Sequence, residues 1–124
     1  MRVYFQDTDA GGVVFHAQYF AFMERARSEF LNAAGIDLGR LVEAHGVLFL
    51  VHHIEARFHR PARLNEQLSV SAEVAKMGRA SLVFRHRVER DGTLLVEGDV
   101  ALALVDRGTL KPTRMPAELE RALT

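Results

Sequence analysis

After Gly46 the hydrophobic pattern takes on a period of two and keeps it through Asp106. In Ile54-Glu55-Ala56-Arg57-Phe58-His59 the apolar residues point one way and the polar ones the other, until Pro61 stops the strand. Leu68, Val70, Ala72 and Val74 alternate with Ser69, Ser71, Glu73 and Ala75, and Gly78-Arg79-Ala80 interrupts. Leu82, Phe84 and His86 then alternate with Val83, Arg85 and Arg87. Asp91-Gly92 is a tight-turn pair between alternating segments, and residues 93–106 read as the last long strand. The chain therefore commits most of its length to strands in hairpin-like succession.

The segment before Gly46 follows a different period. From Ala17 to Ala34 the pattern is helical: Phe20, Met23, Phe30 and Ala34 fall near one stripe, with Tyr19, Ala26 and Ala33 beside it. Glu24, Arg25, Glu29 and Asn32 favour the other side, and Gly35 is placed to end the helix. A second, short helix fits residues 37–45, capped by Asp37 and closed by Gly46. Residues 2–6 alternate and read as a first short strand, and residues 116–123 as a terminal helical turn. Helices and strands are segregated along the chain, so the expected class is α+β. Phenylalanine on more than one side of the long helix (Phe20, Phe22, Phe30) asks for a sheet wrapped around it. Five antiparallel strands curled around one long central helix is the hot-dog arrangement, and that is the expected fold.

Composition narrows the function classes. A chain of 124 residues is expected to form one domain over residues 1–124. With no cysteine there is no disulfide framework, zinc-thiolate site or cysteine nucleophile. Sixteen basic residues balance sixteen acidic ones, which argues against a generic binder of nucleic acid or anionic membrane. Asp7 comes too early for a signal-peptide core, and the longest strongly apolar runs fall far short of a bilayer span. The expectation is a soluble, cytoplasmic protein. All the basic residues except Lys76 and Lys111 are arginine, whose fork grips phosphate or carboxylate bidentately.

The segment richest in chemistry is Asp7-Thr8-Asp9-Ala10-Gly11-Gly12-Val13-Val14-Phe15-His16, at the entry to the long helix. Glycines allow close approach to the backbone. A helix N-terminus offers free N–H donors to an oxygen that develops negative charge. Asp beside such donors suits a nucleophile or general base. The same spacing also fits Asx-turns around a tight loop. A calcium loop fails, because Gly11 and Gln18 stand where ligands are needed. His52-His53 is a poor metal pair, since neighbouring strand residues face opposite ways, so no metal site is expected. Ser28, Ser69, Ser71 and Ser81 lie in no Gly-x-Ser-x-Gly elbow.

The stretch from Arg2 to Tyr19, continued by Phe22-Met23-Glu24-Arg25-Ala26-Arg27, resembles the opening of the 4-hydroxybenzoyl-CoA thioesterase family, in its YbgC-like branch. Phe58-His59-Arg60-Pro61-Ala62-Arg63-Leu64 and Gly78-Arg79-Ala80-Ser81-Leu82-Val83-Phe84 extend the resemblance over nearly the whole chain. It implies an acyl-CoA thioesterase with a hot-dog fold. Asp9 matches the catalytic carboxylate, His16 the position whose N–H polarises the thioester carbonyl, and Tyr19 a residue lining the site. Gly12 and Val13 belong to the same substrate loop, and Asp7 matches a loop organiser. Arg63, Arg79 and Ser81 become candidates for the CoA phosphates. The resemblance implies no separate cofactor, CoA being part of the substrate, with acyl carrier protein as another thioester donor. It also implies a homodimer or a dimer of dimers, with the site at the subunit interface. Two alternatives are a hot-dog enoyl-thioester hydratase or dehydratase and a non-catalytic module that docks acyl carrier protein. Against the hydratase, Asp9 and His16 are seven apart with no Pro between them.

Overall fold

The computed structural model describes residues 1–9 and 11–124. Ala10 of the polar loop lies outside the described residues. After a single-turn 3-10 helix at Phe5–Asp7, the elements are α1 (Gln18–Ala33), α2 (Leu38–His45), β1 (Val47–Phe58), β2 (Ser69–Met77), β3 (Ser81–Arg90), β4 (Thr93–Asp106) and α3 (Ala117–Leu123). The strands form one antiparallel sheet in the order β1-β4-β3-β2.

The α+β class stands, but a five-stranded sheet around a single helix does not. Among the described residues four strands form the sheet, and the long helix α1 is accompanied by two shorter helices, α2 and α3. The missing strand is the first. Residues 2–6 make only an isolated bridge, Arg2 to Gln67, before the chain turns. Asp7 causes the turn: its Oδ2 accepts the Tyr4 N–H at 2.9 Å, and its own N–H donates to the Tyr4 carbonyl at 2.9 Å. A carboxylate three residues ahead thus takes the backbone donor that a strand ladder would have used. Tyr4 and Phe5, read as strand residues, are left exposed.

Local chemistry accounts for most boundaries. Asp37 caps α2, with Oδ1 accepting the Arg40 N–H at 3.2 Å, and Gly46 closes it in the left-handed region at φ 63°. Asp91 and Gly92 both take positive φ (50° and 80°), as a two-residue hairpin between right-twisted strands demands. β1 starts well before Ile54, because Val47–Val51 pair with β4 from Asp106 to Leu102.

The core lies between α1 and the inner sheet face, where Leu82, Phe84, Val88, Val96, Val100 and Leu104 are buried. The buried face of α1 carries Tyr19, Phe22, Met23, Arg27 and Leu31. Phe20 and Phe30, expected in the central stripe, are only partly buried and pack at its flanks. One glycine sets how closely the helix approaches. A methyl group at Gly98 in β4 would stand 3.0 Å from the Glu55 carbonyl oxygen and 3.1 Å from Met23 Cε. The carbonyl belongs to the β1 backbone and cannot swing away. Gly98→Ala is therefore expected to cost about 1–3 kcal/mol, read from the urea midpoint at unchanged slope.

Strand β1 is an edge. Leu50, Val51, Ile54 and Phe58 are exposed along it, with Val51, Ile54 and Phe58 on the face shared with Leu102, Val100 and Val96 of β4 and Leu50 on the other. No helix among the described residues is long and apolar enough to cross a membrane.

Candidate active site

The loop that opens the chain folds back on itself before entering α1. The Asp9 N–H donates to the Val13 carbonyl at 2.9 Å, and the Gly12 N–H donates to the Asp9 carbonyl at 3.2 Å. Gly12 turns the chain at φ 81°, a region side-chain-bearing residues avoid. The loop is then fastened on two sides. Thr8 bridges Val14 and Val13 bridges Arg63, while the Val14 N–H donates to the Ala62 carbonyl at 2.8 Å. Arg63 is held in turn by its N–H on Glu66 Oε1, and Arg90 Nη1 clamps Glu66 at 2.8 and 2.9 Å.

The two aspartates have different surroundings. Asp7 is buried, with Oδ2 on the Tyr4 N–H and Oδ1 without a partner among the described residues. Asp9 is exposed. Its Oδ1 accepts the Gly11 N–H at 2.7 Å, and Oδ2 has no hydrogen-bond partner among the described residues. The Asx-turn anticipated as an alternative to chemistry is therefore present, and it engages one of the two carboxylate oxygens.

The start of α1 supplies the complementary partial charge. Gln18, Tyr19 and Phe20 N–H donate to the carbonyls of Phe15, His16 and Ala17. The N–H groups of His16 and Ala17 meet no acceptor among the described residues, so the positive end of the helix is open there. The exposed His16 ring stacks at a tilt on Phe15, centroids 4.5 Å apart.

His16 and Tyr19 come together in a cavity of about 280 Å³ with Val14, Phe58, His59, Arg60 and Pro61. Tyr19 is buried, its ring 5.6 Å from Phe58, and its hydroxyl accepts the Ala62 N–H at 3.1 Å. Burial raises its pKa. The Ala62 N–H opposes that, Glu66 adds to it and Arg90 opposes it. The phenol therefore keeps its proton at neutral pH. Phe58, His59, Arg60 and Pro61 were legible as a strand ending at a proline, not as a cavity wall. The signal was the halt of the alternating pattern one residue past His59.

The remaining candidates separate. Gly12, Val13 and Arg63 adjoin the Asp9 loop. Arg79 and Ser81 belong to the β2–β3 turn, where Ser81 pairs with Ala103. The cavity lies at the opposite end, where Phe58 pairs with Val96 and Val96 with Val88. From Ser81 to Val88 along β3 is roughly 23 Å. One chain does not bring Arg79 and Ser81 to Asp9.

Residues 11–97 match the model of the Thioesterase superfamily. The chain is 38% identical over 122 residues to the acyl-CoA thioesterase YbgC of Haemophilus influenzae, covering 98% of this chain and 90% of that one. It is 42% identical over 120 residues to the acyl-CoA thioester hydrolase YbgC of Escherichia coli O157:H7, covering 96% and 89%. Among solved structures, a hypothetical protein of Thermus thermophilus superposes with a TM-score of 0.89 at 38% identity, covering 99% of this chain and 95% of that one. A probable thioesterase of Bartonella henselae gives 0.88 at 35% identity, covering 94% and 95%.

Proposed function

This chain belongs to the thioesterase superfamily, and on that premise we propose that it hydrolyses the thioester of an acyl-CoA, with Asp9 as the reacting carboxylate and the amide end of α1 at His16 polarising the carbonyl. One observation supports this most. The loop whose Asp9 keeps Oδ2 without a partner among the described residues leads directly to His16 and Ala17, whose N–H groups at the entry to α1 are likewise unpartnered among those residues.

The carbonyl oxygen settles against the His16 N–H, where the helix dipole favours the negative charge that develops during attack. Asp9 then acts by one of two routes. As a nucleophile, its oxygen bonds to the carbonyl carbon, the C–S bond breaks, and the thiolate leaves and is protonated by solvent. Water then cleaves the mixed anhydride to free acid and regenerated Asp9. As a general base, Asp9 takes a proton from the water that attacks in its place. Tyr19 lines the acyl side and ties α1 to the Ala62 segment.

The CoA end requires a second copy. Antiparallel pairing of two β1 edges covers the exposed apolar residues Val51, Ile54 and Phe58 on one face and Leu50 on the other. It also sets the Phe58 end of each sheet beside the Ser81 end of the other. Arg79 and Ser81 from that copy then approach the loop bearing Asp9, with Arg63 from the same chain. The functional unit in this reading is at least a homodimer, and acyl carrier protein is a second possible donor of the thioester.

Incubation with a trans-2-enoyl-CoA and a thiol reagent tests the reaction class. Hydrolysis releases thiol and free acid. Loss of the conjugated band without thiol marks a hydratase instead, and no reaction beside a stable complex with acyl carrier protein marks a docking module.

A further inference from the structure

The buried face of α1 steps through Tyr19, Met23, Arg27 and Leu31, one residue per turn, and Arg27 is the only charge on it. The residue is nine-tenths buried, and its guanidinium pairs with no carboxylate among the described residues. Its one hydrogen-bond partner there is Nε2 of His86 at 3.2 Å, and His86 is fully buried on β3. The other ring nitrogen, Nδ1, lies 2.9 Å from the Ser71 carbonyl on β2.

These two contacts leave one protonation state. A carbonyl only accepts, so Nδ1 carries the proton. A guanidinium only donates, so Nε2 is bare. The imidazole must be neutral for both bonds to exist. A second proton on Nε2 would replace the bond with two cations in contact.

The pair sits where it controls the seat of the helix. His86 pairs directly with Gly98 across β3 and β4, and Met23 packs on Gly98 one turn before Arg27. One further turn back is Tyr19, against the cavity. We infer that Arg27 and His86 are positioning residues for thioester hydrolysis, forming a buried latch that seats α1 on the sheet and opens when His86 takes up a proton. The catalytic half of this inference rests on the role proposed above for the α1 N-terminus; the latch itself does not.

The surroundings oppose that proton. Arg27 faces His86 from α1, with Glu24 a turn away on the same helix, while Asp99 of β4 acts on it only at a distance, its carboxylate being paired with Arg85 on the outer face of the sheet. β2 meets it with the Ser71 carbonyl, and Phe84 stacks on it with ring centroids 6.1 Å apart. Burial is the largest influence and lowers the His86 pKa from 6.5 to about 4. The Ser71 bond opposes this, Arg27 lowers it further and Asp99 opposes. The unfolded chain thus binds the proton near pH 6.5 while the folded one resists it. The stabilising contribution is complete above about pH 6.5 and declines as pH falls toward 4.

Tyr19 reports the seat of α1. The chain has two tyrosines and no tryptophan, so a Tyr4→Phe background leaves Tyr19 as the only source of the near-ultraviolet tyrosine band. That band and kcat are followed from pH 7.5 to 4, with and without His86→Gln. Gln can still accept from Arg27 but cannot gain a charge. The inference predicts that the band and kcat fall together in the parent, and that His86→Gln moves both midpoints down by about one pH unit or more. Equal midpoints for the band in the two proteins would overturn the latch. A shifted band with an unshifted kcat would overturn the positioning role and leave the latch. Should His86→Gln fail to fold, imidazole nitrogen chemical shifts of the unsubstituted protein decide. A bare Nε2 at neutral pH, titrating with the Tyr19 band, supports the latch; a protonated Nε2, or titration apart from the band, refutes it.

Discussion

Asp9→Asn is expected to retain acyl-CoA binding and to lose hydrolysis by about 10²–10⁴-fold in kcat, the range a positioned proton-transfer group contributes. Asparagine keeps the Oδ1 acceptor that holds the Gly11 N–H at 2.7 Å, so the loop keeps its shape. The change replaces the open oxygen with an amide nitrogen that neither attacks nor takes a proton. The loss should therefore fall on kcat, with KM changed little. Competition by a non-hydrolysable acyl-CoA ether measures binding separately. Full activity in the variant would remove Asp9 from the chemistry. A parallel loss of affinity and rate would reduce it to a structural residue of the loop.

Phe22→Ala is expected to lower stability by about 3–5 kcal/mol, the usual cost of emptying a buried phenylalanine site. Phe22 is fully buried and meets the Tyr19 ring edge-on at 6.0 Å. Marginal stability makes this a large fraction of the total, and the midpoint of thermal unfolding should drop by about 10–20 °C. Phe20→Ala, one position outside the stripe, should cost clearly less, because Phe20 is only partly buried. Equal losses in the two variants would contradict the orientation of α1.

That pair of residues also shows where sequence reading reached its limit. Periodicity placed a helix within one residue of each end of Gln18–Ala33, because capping and turn chemistry are local. It did not rank Phe20 against Phe22, since a helix rich in phenylalanine on several sides leaves its rotation undetermined until a sheet lies against it. The strand alternation put His86 among the inward positions beside Leu82 and Phe84. Arg27 gave no sign of burial, as its partner is 59 positions away. Residues 2–6 failed as a strand for the opposite reason: a local side-chain bond from Asp7 overrode a correct propensity.

At the candidate site, the adjacency of Asp9, Gly12, His16 and Tyr19 was legible because the loop, the glycine turn and the helix start are contiguous in sequence. The cavity wall from Phe58 to Pro61 was not, because it arrives from the end of β1. Arg79 and Ser81 were candidates for the CoA phosphates by resemblance, and the sheet register places them at the end of the sheet away from the loop. Only pairing between copies, which leaves no mark in the pattern of one chain, would reunite them.

Free-thiol release by the purified protein across short, long and aromatic acyl-CoA substrates tests the central claim most directly. The account predicts saturable release of one thiol per acid formed for at least one chain class, abolished by Asp9→Asn. Flat traces for every acyl group, or release unaffected by that substitution, would contradict it.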